Sequence, residues 1–222
     1  MELVIATKNK GKIREIREAL KDVNIKVSSL DEMGLDIEID ENGKTYSDNA
    51  VKKAIEVAKA SGKISLADDS GLEIDALGRK PGINSSRFAG ADVDDREKNL
   101  KVLEMMKDVP QGKRGARFRC VIVIAEPEGG IHTCEGVCEG EIAEEIRGDK
   151  GFGYDPIFVP TQSTGTGKEY GKTFGELGSE VKSRISHRAK AIEKAKEIIT
   201  SLKSCLPLLL YAPHLLRLYY HL

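Results

Sequence analysis

The chain has 222 residues, 40% hydrophobic and 32% charged, which is enough to bury a sizeable core in one folded unit. A formal net charge of -1 argues against a broad footprint for DNA or RNA, which needs many Lys and Arg gathered on one face; a mononucleotide needs only a local cluster. Four cysteines, Cys120, Cys134, Cys138 and Cys205, and no secretory leader fit free thiols and a cytoplasmic location.

Leu3 to Ala6 form a short apolar run, Thr7 to Gly11 a polar turn, and Ile13, Ile16 and Leu20 then recur at helical spacing. In a strand–loop–helix unit of this kind the loop amides and the helix N-terminus favour an anion, and Lys8, Lys10 and Lys12 add charge at the same place. A second helix begins near Thr45, with Ala50, Ala54, Val57 and Ala58 on one face together with Lys52, Lys53 and Lys59, and ends at Gly62. Ile64 to Ala67 read as a buried strand running into Asp68 and Asp69, with Gly71 opening a turn before Leu72 to Leu77. Two carboxylates at one strand end raise each other's proton affinity and welcome a hard cation. The plainer reading is a solvated turn, since Asp-Asp-Ser-Gly is good turn chemistry.

Arg79 to Gly90 show no period and are expected to form an ordered surface loop. Asp94 to Lys107 are expected to be helical with Leu100 and Leu103 inward, and Ala116–Ala125 with Ile131–Val137 to form an antiparallel pair across a hairpin-length connection. Cys134 and Cys138, with His132 nearby, lack a second half-site for zinc and read as strand residues. Gly151-Phe-Gly-Tyr-Asp-Pro156 can bring an aromatic ring against a base; a tight turn packing two rings is the alternative. Pro160 to Lys172 look flexible and lid-like, but the spacing of a Walker loop is absent, and Glu169 stands where Ser or Thr is needed.

A last helix is expected from Val181 to Leu202, with Ile185, Ala189, Ile192, Ile199 and Leu202 inward. Residues 204–222 form an atypical apolar tail, interrupted by Pro207 and Pro213 and charged by Arg217, and fall short of the ~20 uninterrupted apolar residues of a membrane span. The expected division is therefore a domain over 1–203 and an unassigned tail over 204–222.

Taken jointly, Ala6-Thr-Lys-Asn-Lys-Gly-Lys12, Ala67-Asp-Asp-Ser-Gly-Leu72, Pro81-Gly82, Gly151-Phe-Gly-Tyr-Asp-Pro-Ile-Phe158 and Ser186-His-Arg188 stand in the order of the inosine triphosphate pyrophosphatase family, which the chain resembles over about residues 1–200. The resemblance implies an α/β fold with an elongated mixed β-sheet, flanking helices and two lobes enclosing a nucleotide cleft. It also implies a Mg²⁺-dependent homodimer that hydrolyses ITP, dITP and XTP to the monophosphate and pyrophosphate.

By the same resemblance Asp69 is the general base and a metal-linked carboxylate, supported by Asp68, with Ser70 against the substrate. A second metal-ligating acid is Asp40 or Glu41; register favours Asp40, although the family's usual residue there is Glu. Thr7, Lys8, Asn9, Lys10, Gly11 and Lys12 match the phosphate-binding turn, with Lys at position 8 where many members have Gly. Lys53 faces the phosphates, and Lys172 and Lys182 are further substrate-side lysines. Phe152, Gly153, Tyr154 and Asp155 match the base-binding loop, and His187 and Arg188 complete the pocket, with donors toward a 6-oxo group. The alternatives are a pyrophosphatase for modified pyrimidine nucleotides and a nucleotide-binding protein without turnover.

Overall fold

A computed structural model describes residues 1–90, 93–161 and 171–211, with 205–211 as backbone only. The expected lid falls largely on residues 162–170, and most of the tail on 212–222, outside the described residues. The strands are β1 (Glu2–Ile5), β2 (Lys26–Ser29), β3 (Ile64–Ile74), β4 (Lys80–Pro81), β5 (Gly115–Ala125), β6 (Ile131–Ile142) and β7 (Phe158–Pro160). The α-helices are α1 (Lys10–Leu20), α2 (Tyr46–Ser61), α3 (Asp95–Met105), α4 (Phe174–Leu177), α5 (Ser179–Ile185) and α6 (His187–Tyr211). The sheet runs β2-β1-β3-β5-β6-β7, with β4 paired to the far end of β3. β1 lies parallel to β2 and β3 while the remaining pairs are antiparallel, so the sheet is mixed and the fold α/β as expected.

Period-two alternation divides the apolar residues between the faces. Leu3, Ile5, Leu66, Ile122 and Ile124 pack on one face with Ile16 of α1 and Ile192 of α6. Val4, Ala67, Val121 and Val123 pack on the other with Ala50, Ala54 and Val57 of α2. α2 begins in a capping box of Thr45 and Asp48 and ends at Gly62 in the left-handed conformation, as its sequence prescribes. A third core, around Phe118, Phe158 and Phe174, closes the far end of the sheet.

The structure corrects four expectations. β3 does not end before Asp68: it is one strand through Asp68, Asp69, Ser70 and Gly71, held in register with β5 from Ser65↔Ala125 to Ile74↔Ala116. Ladder hydrogen bonds to a long partner override the turn preference of Asp-Asp-Ser-Gly. The helix expected over Val181–Leu202 is two, because Ser186 is extended (ψ 160°) and its hydroxyl accepts from Ala189 N at 3.1 Å, which caps and starts α6. α6 then continues to Tyr211, past residue 203. In α3 Leu103 packs on the core as expected, but the fully buried residues are Asn99 and Val102, and Leu100 is 48% exposed. The stretch Arg79–Gly90 contains β4 and a 3₁₀ helix, Gly82–Arg87, rather than irregular loop alone. Cys134 and Cys138 are buried residues of β6. Among the described residues no helix is long and apolar enough to cross a membrane.

Candidate active site

Because β3 is continuous, its two acids point to opposite faces of the sheet. They are not a carboxylate dyad. Asp68, wholly buried, turns toward α1 and α6: Lys12 Nζ lies 2.5 Å from its Oδ1, Arg188 Nε 2.8 Å from its Oδ2, and Cys120 Sγ donates to Oδ2 at 3.0 Å. Burial pushes this carboxyl up, but Arg188 and Lys12 outweigh it and hold it well below the ordinary range. Asp69 turns toward α2, where Lys53 Nζ donates to its Oδ1 at 3.0 Å and Asn49 Nδ2 to its Oδ2 at 3.4 Å. Here burial outweighs Lys53 and Lys12, and the pKa lies above the ordinary carboxylate value.

The buried Lys53 ammonium is shared. It also donates to the Asp68 carbonyl at 2.9 Å and to Glu41 Oε1 at 3.0 Å. Burial lowers its pKa, but Asp69 and Glu41 overcome that, so it is held as a cation. Glu41, not Asp40, is the acid that faces this cluster: Asp40 bonds the Asn42 amide at 2.7 Å and lies 3.9 Å from Lys52 at the surface. The register that favoured Asp40 has no strand or helix period behind it, because residues 40–44 belong to neither.

These groups form one end of a cleft of about 440 Å³. Thr7, Asn9, Lys10, Gly11, Lys12 and Ser70 line the same end. Asn9 caps α1, its side chain accepting from Lys12 N at 3.0 Å, while Thr7 Oγ1 accepts from Asn9 N at 3.2 Å. The start of α1 therefore faces the cleft with its first amides and with Lys12, a setting that favours phosphate. Lys8 turns away to Asp36 at 2.8 Å, and Lys172 is exposed; neither lines the cleft.

At the other end Phe152 presents its ring, with Lys182 Nζ 4.3 Å and Arg188 Cζ 5.7 Å from the centroid. The ring passes so close to α1 that a Cβ on Gly11 would sit 2.6 Å from it, so any side chain there would have to displace the ring. Asp155 ties the loop down, accepting from Phe152 N at 2.8 Å and from Lys182 Nζ at 2.6 Å. Gly153 donates its N–H to Asp95 at 2.6 Å, and its carbonyl accepts from Asn99 at 2.9 Å. Tyr154 is a packing residue, buried with its hydroxyl on the Ser85 carbonyl at 2.9 Å, which leaves Phe152 as the ring available for stacking. His187 stacks on Phe118 at 4.7 Å, and its Nδ1 is buried with no hydrogen-bond partner among the described residues. Burial, then Arg188 and Lys182, hold its pKa well below the usual value, so the ring is neutral.

Four contributors escaped sequence reading: Asp95 and Asn99, which hold Gly153, and Asn49 and Glu15. Asn49 stands four residues before Lys53 on the apolar face of α2, and a second polar residue on that stripe was a usable signal. Glu15 bonds Arg188, 173 residues away, and nothing local marks it.

The chain matches the model of the Ham1 family over residues 3–198. It is 52% identical over 203 residues to a dITP/XTP pyrophosphatase of Desulforamulus reducens, covering 91% of this chain and 97% of the relative. It is 46% identical over 198 residues to the dITP/XTP pyrophosphatase of Bacillus subtilis, covering 89% and 96%. The solved structure of a HAM1 protein from Coxiella burnetii is similar with a TM-score of 0.79 at 41% identity, covering 90% of this chain and 99% of that one.

Proposed function

This chain belongs to the Ham1 family, and from that premise we propose that it hydrolyses deaminated purine nucleoside triphosphates, ITP, dITP and XTP, to the monophosphate and pyrophosphate. The observation that carries this is one cleft with a carboxylate–ammonium cluster and a helix N-terminus at one end and an aromatic ring flanked by buried cations at the other. A triphosphate fits the first end and a purine the second.

The first end suits a divalent cation. Asp69 and Glu41 both approach a single positive charge, the Lys53 ammonium, at 3.0 Å, so two hard oxygen donors already converge on a cationic position. Two carboxylates, with the other positions left to water and phosphate, is the donor set Mg²⁺ prefers. Bound by Asp69 and Glu41, it would supply Lewis-acid neutralisation of charge developing on the phosphates. The protein's own groups do the rest. Lys12, Lys53 and the α1 amides hold and orient the phosphate chain, and Asp69 takes the proton of the water that attacks the α-phosphate. A pKa raised above the ordinary carboxylate value by burial makes Asp69 a better proton acceptor.

At the second end Phe152 stacks on the base, and the neutral His187 with Arg188 reads the 6-position. Donors placed for a 6-oxo acceptor are left unsatisfied by adenine's amine, the source of discrimination against ATP. A homodimer with a catalytic unit complete at residue 203 belongs to the same proposal and rests on the family resemblance, while a cytoplasmic location rests on the free thiols Cys120 and Cys134. A chain ending at Lys203 is expected to retain at least half the turnover of the full chain, measured side by side; its loss would assign the tail a role.

The test is pyrophosphate release from ITP, XTP, ATP, GTP and dUTP, with Mg²⁺ and with chelator. Release confined to ITP and XTP and abolished by chelator is expected. Comparable turnover of ATP, or preferred turnover of dUTP, overturns the reading.

A further inference from the structure

Glu15 stands behind Lys182 and Arg188. It projects from the second turn of α1, its Oε1 accepting from Lys182 Nζ at 2.8 Å and its Oε2 from Arg188 Nη1 at 2.5 Å, so each carboxylate oxygen holds one cation. Its outer side opens to a groove of about 1200 Å³ between α1, α5 and α6. Burial disfavours its charge, yet Arg188 and Lys182 more than offset that and keep it ionised.

Arg188 spends its other contacts inside, Nε on Asp68 at 2.8 Å and Nη2 on the Ser70 hydroxyl at 2.8 Å, and Lys182 keeps Asp155 at 2.6 Å. Asp68, Asp155 and Glu15 thus balance Lys12, Lys182 and Arg188. Removing Glu15 deprives the Nη1 arm of its acceptor and leaves the buried cluster one positive charge in excess. The guanidinium, pivoting on Asp68 and Ser70, and the Lys182 ammonium are the two cations beside the Phe152 ring.

We infer that Glu15 is a positioning residue for base recognition: it locks Lys182 and Arg188 beside Phe152 and thereby sets the preference for a 6-oxo over a 6-amino purine. This rests on the reading above that the Phe152 end holds the base. No contact between Glu15 and the nucleotide is required, so its effect falls on binding and selectivity more than on the chemical step.

The experiment is steady-state kinetics on ITP and ATP, with melting temperatures, for wild type, Glu15→Gln, Glu15→Asp and the exposed control Glu18→Gln. Glu15→Gln is expected to raise KM for ITP about tenfold or more, the scale of a lost hydrogen bond to a charged group, and to narrow the ITP-over-ATP ratio of kcat/KM similarly, with a smaller change in kcat. Glu15→Asp restores the charge and recovers part of both, and Glu18→Gln matches wild type. In an Arg188→Gln background Glu15→Gln should narrow the ratio no further, because the two act as one unit.

A wild-type ratio with unchanged KM in Glu15→Gln, or additive effects in the double variant, overturns the inference. So does an equal fall in Glu15→Gln and Glu15→Asp that tracks melting temperature alone. Should Glu15→Gln not fold, Glu15→Asp decides, by a raised KM at near-normal melting temperature or by none. A wild-type enzyme without preference for ITP overturns the functional reading itself, a result distinct from all of these.

Discussion

Asp69→Asn is expected to lower kcat about 10²–10⁴-fold, the scale of a lost general base, while the melting temperature stays level or rises. The second half of this expectation follows from the environment. Burial is the largest influence on Asp69 and raises its pKa despite Lys53, so its charge is held in the fold at a cost. A group whose folded pKa is raised loses stability as pH rises through the unfolded and then the folded value, so once ionised Asp69 is a net burden on the fold. Asparagine removes that burden, keeps an oxygen for Lys53 and leaves Lys53 its bonds to Glu41 and the Asp68 carbonyl. Turnover of ITP and thermal melting, measured on one preparation, check it. Near-normal turnover, or a melting temperature that collapses along with turnover, would refute the assignment. Stability given up for function in this way is common at active sites.

Asp68→Ala is expected to behave in the opposite sense and to destabilise by about 3–5 kcal/mol, the cost of breaking a buried ion pair. Its carboxylate is the shared acceptor for Arg188, 2% exposed, for Lys12 and for the Cys120 thiol, and alanine strands all three. In a chain of this size that corresponds to a fall of about 6–20 °C in melting temperature. Asp68→Asn keeps an oxygen for Arg188 Nε and should fall less. pH acts in the same direction. The Asp68 pKa is depressed, so its contribution is complete above the unfolded carboxylate value of 3.8 and is lost as pH falls below that toward the folded value. His187 is held neutral with a pKa well below 6.5, so the unfolded chain takes up a proton that the folded one refuses, and stability declines already as pH drops through 6.5. Melting temperature should therefore fall from pH 7 to pH 5 and more steeply below pH 4, and Asp68→Ala should flatten the lower part of that curve. A flat profile in the wild type would contradict the buried charges described.

The two acids show why adjacency in sequence is a poor guide to shared chemistry. Asp68 and Asp69 read as a pair at a strand end, yet the strand continues, and a period of two sends one to the structural ion cluster and the other to the candidate catalytic one. The turn propensity of Asp-Asp-Ser-Gly is worth little against a ladder with β5 that extends past it on both sides. Likewise Ser186 interrupts what its apolar spacing reads as a single helix, and the interruption lets His187 and Arg188 open α6 from a buried position rather than a surface one. Tyr154 and Phe152 are equivalent candidates for stacking by composition; only the bond from the Tyr154 hydroxyl to Ser85 removes one of them.

What the sequence determined by itself was whatever depends on near neighbours: the strand–turn–helix at the N-terminus with Asn9 as its cap, the capped and amphipathic α2, the β5–β6 hairpin, and the motif order that marks the family. Each is encoded within a few residues by capping, periodicity or turn chemistry. Only the tertiary structure decided which acid of Asp40 and Glu41 faces Lys53, which face each β3 carboxylate takes, and that Glu15 joins Lys182 to Arg188. Those outcomes are fixed by charge compensation between residues as many as 173 positions apart, in a low-dielectric interior where an unpaired ion is too costly to keep, and no local pattern encodes the partner.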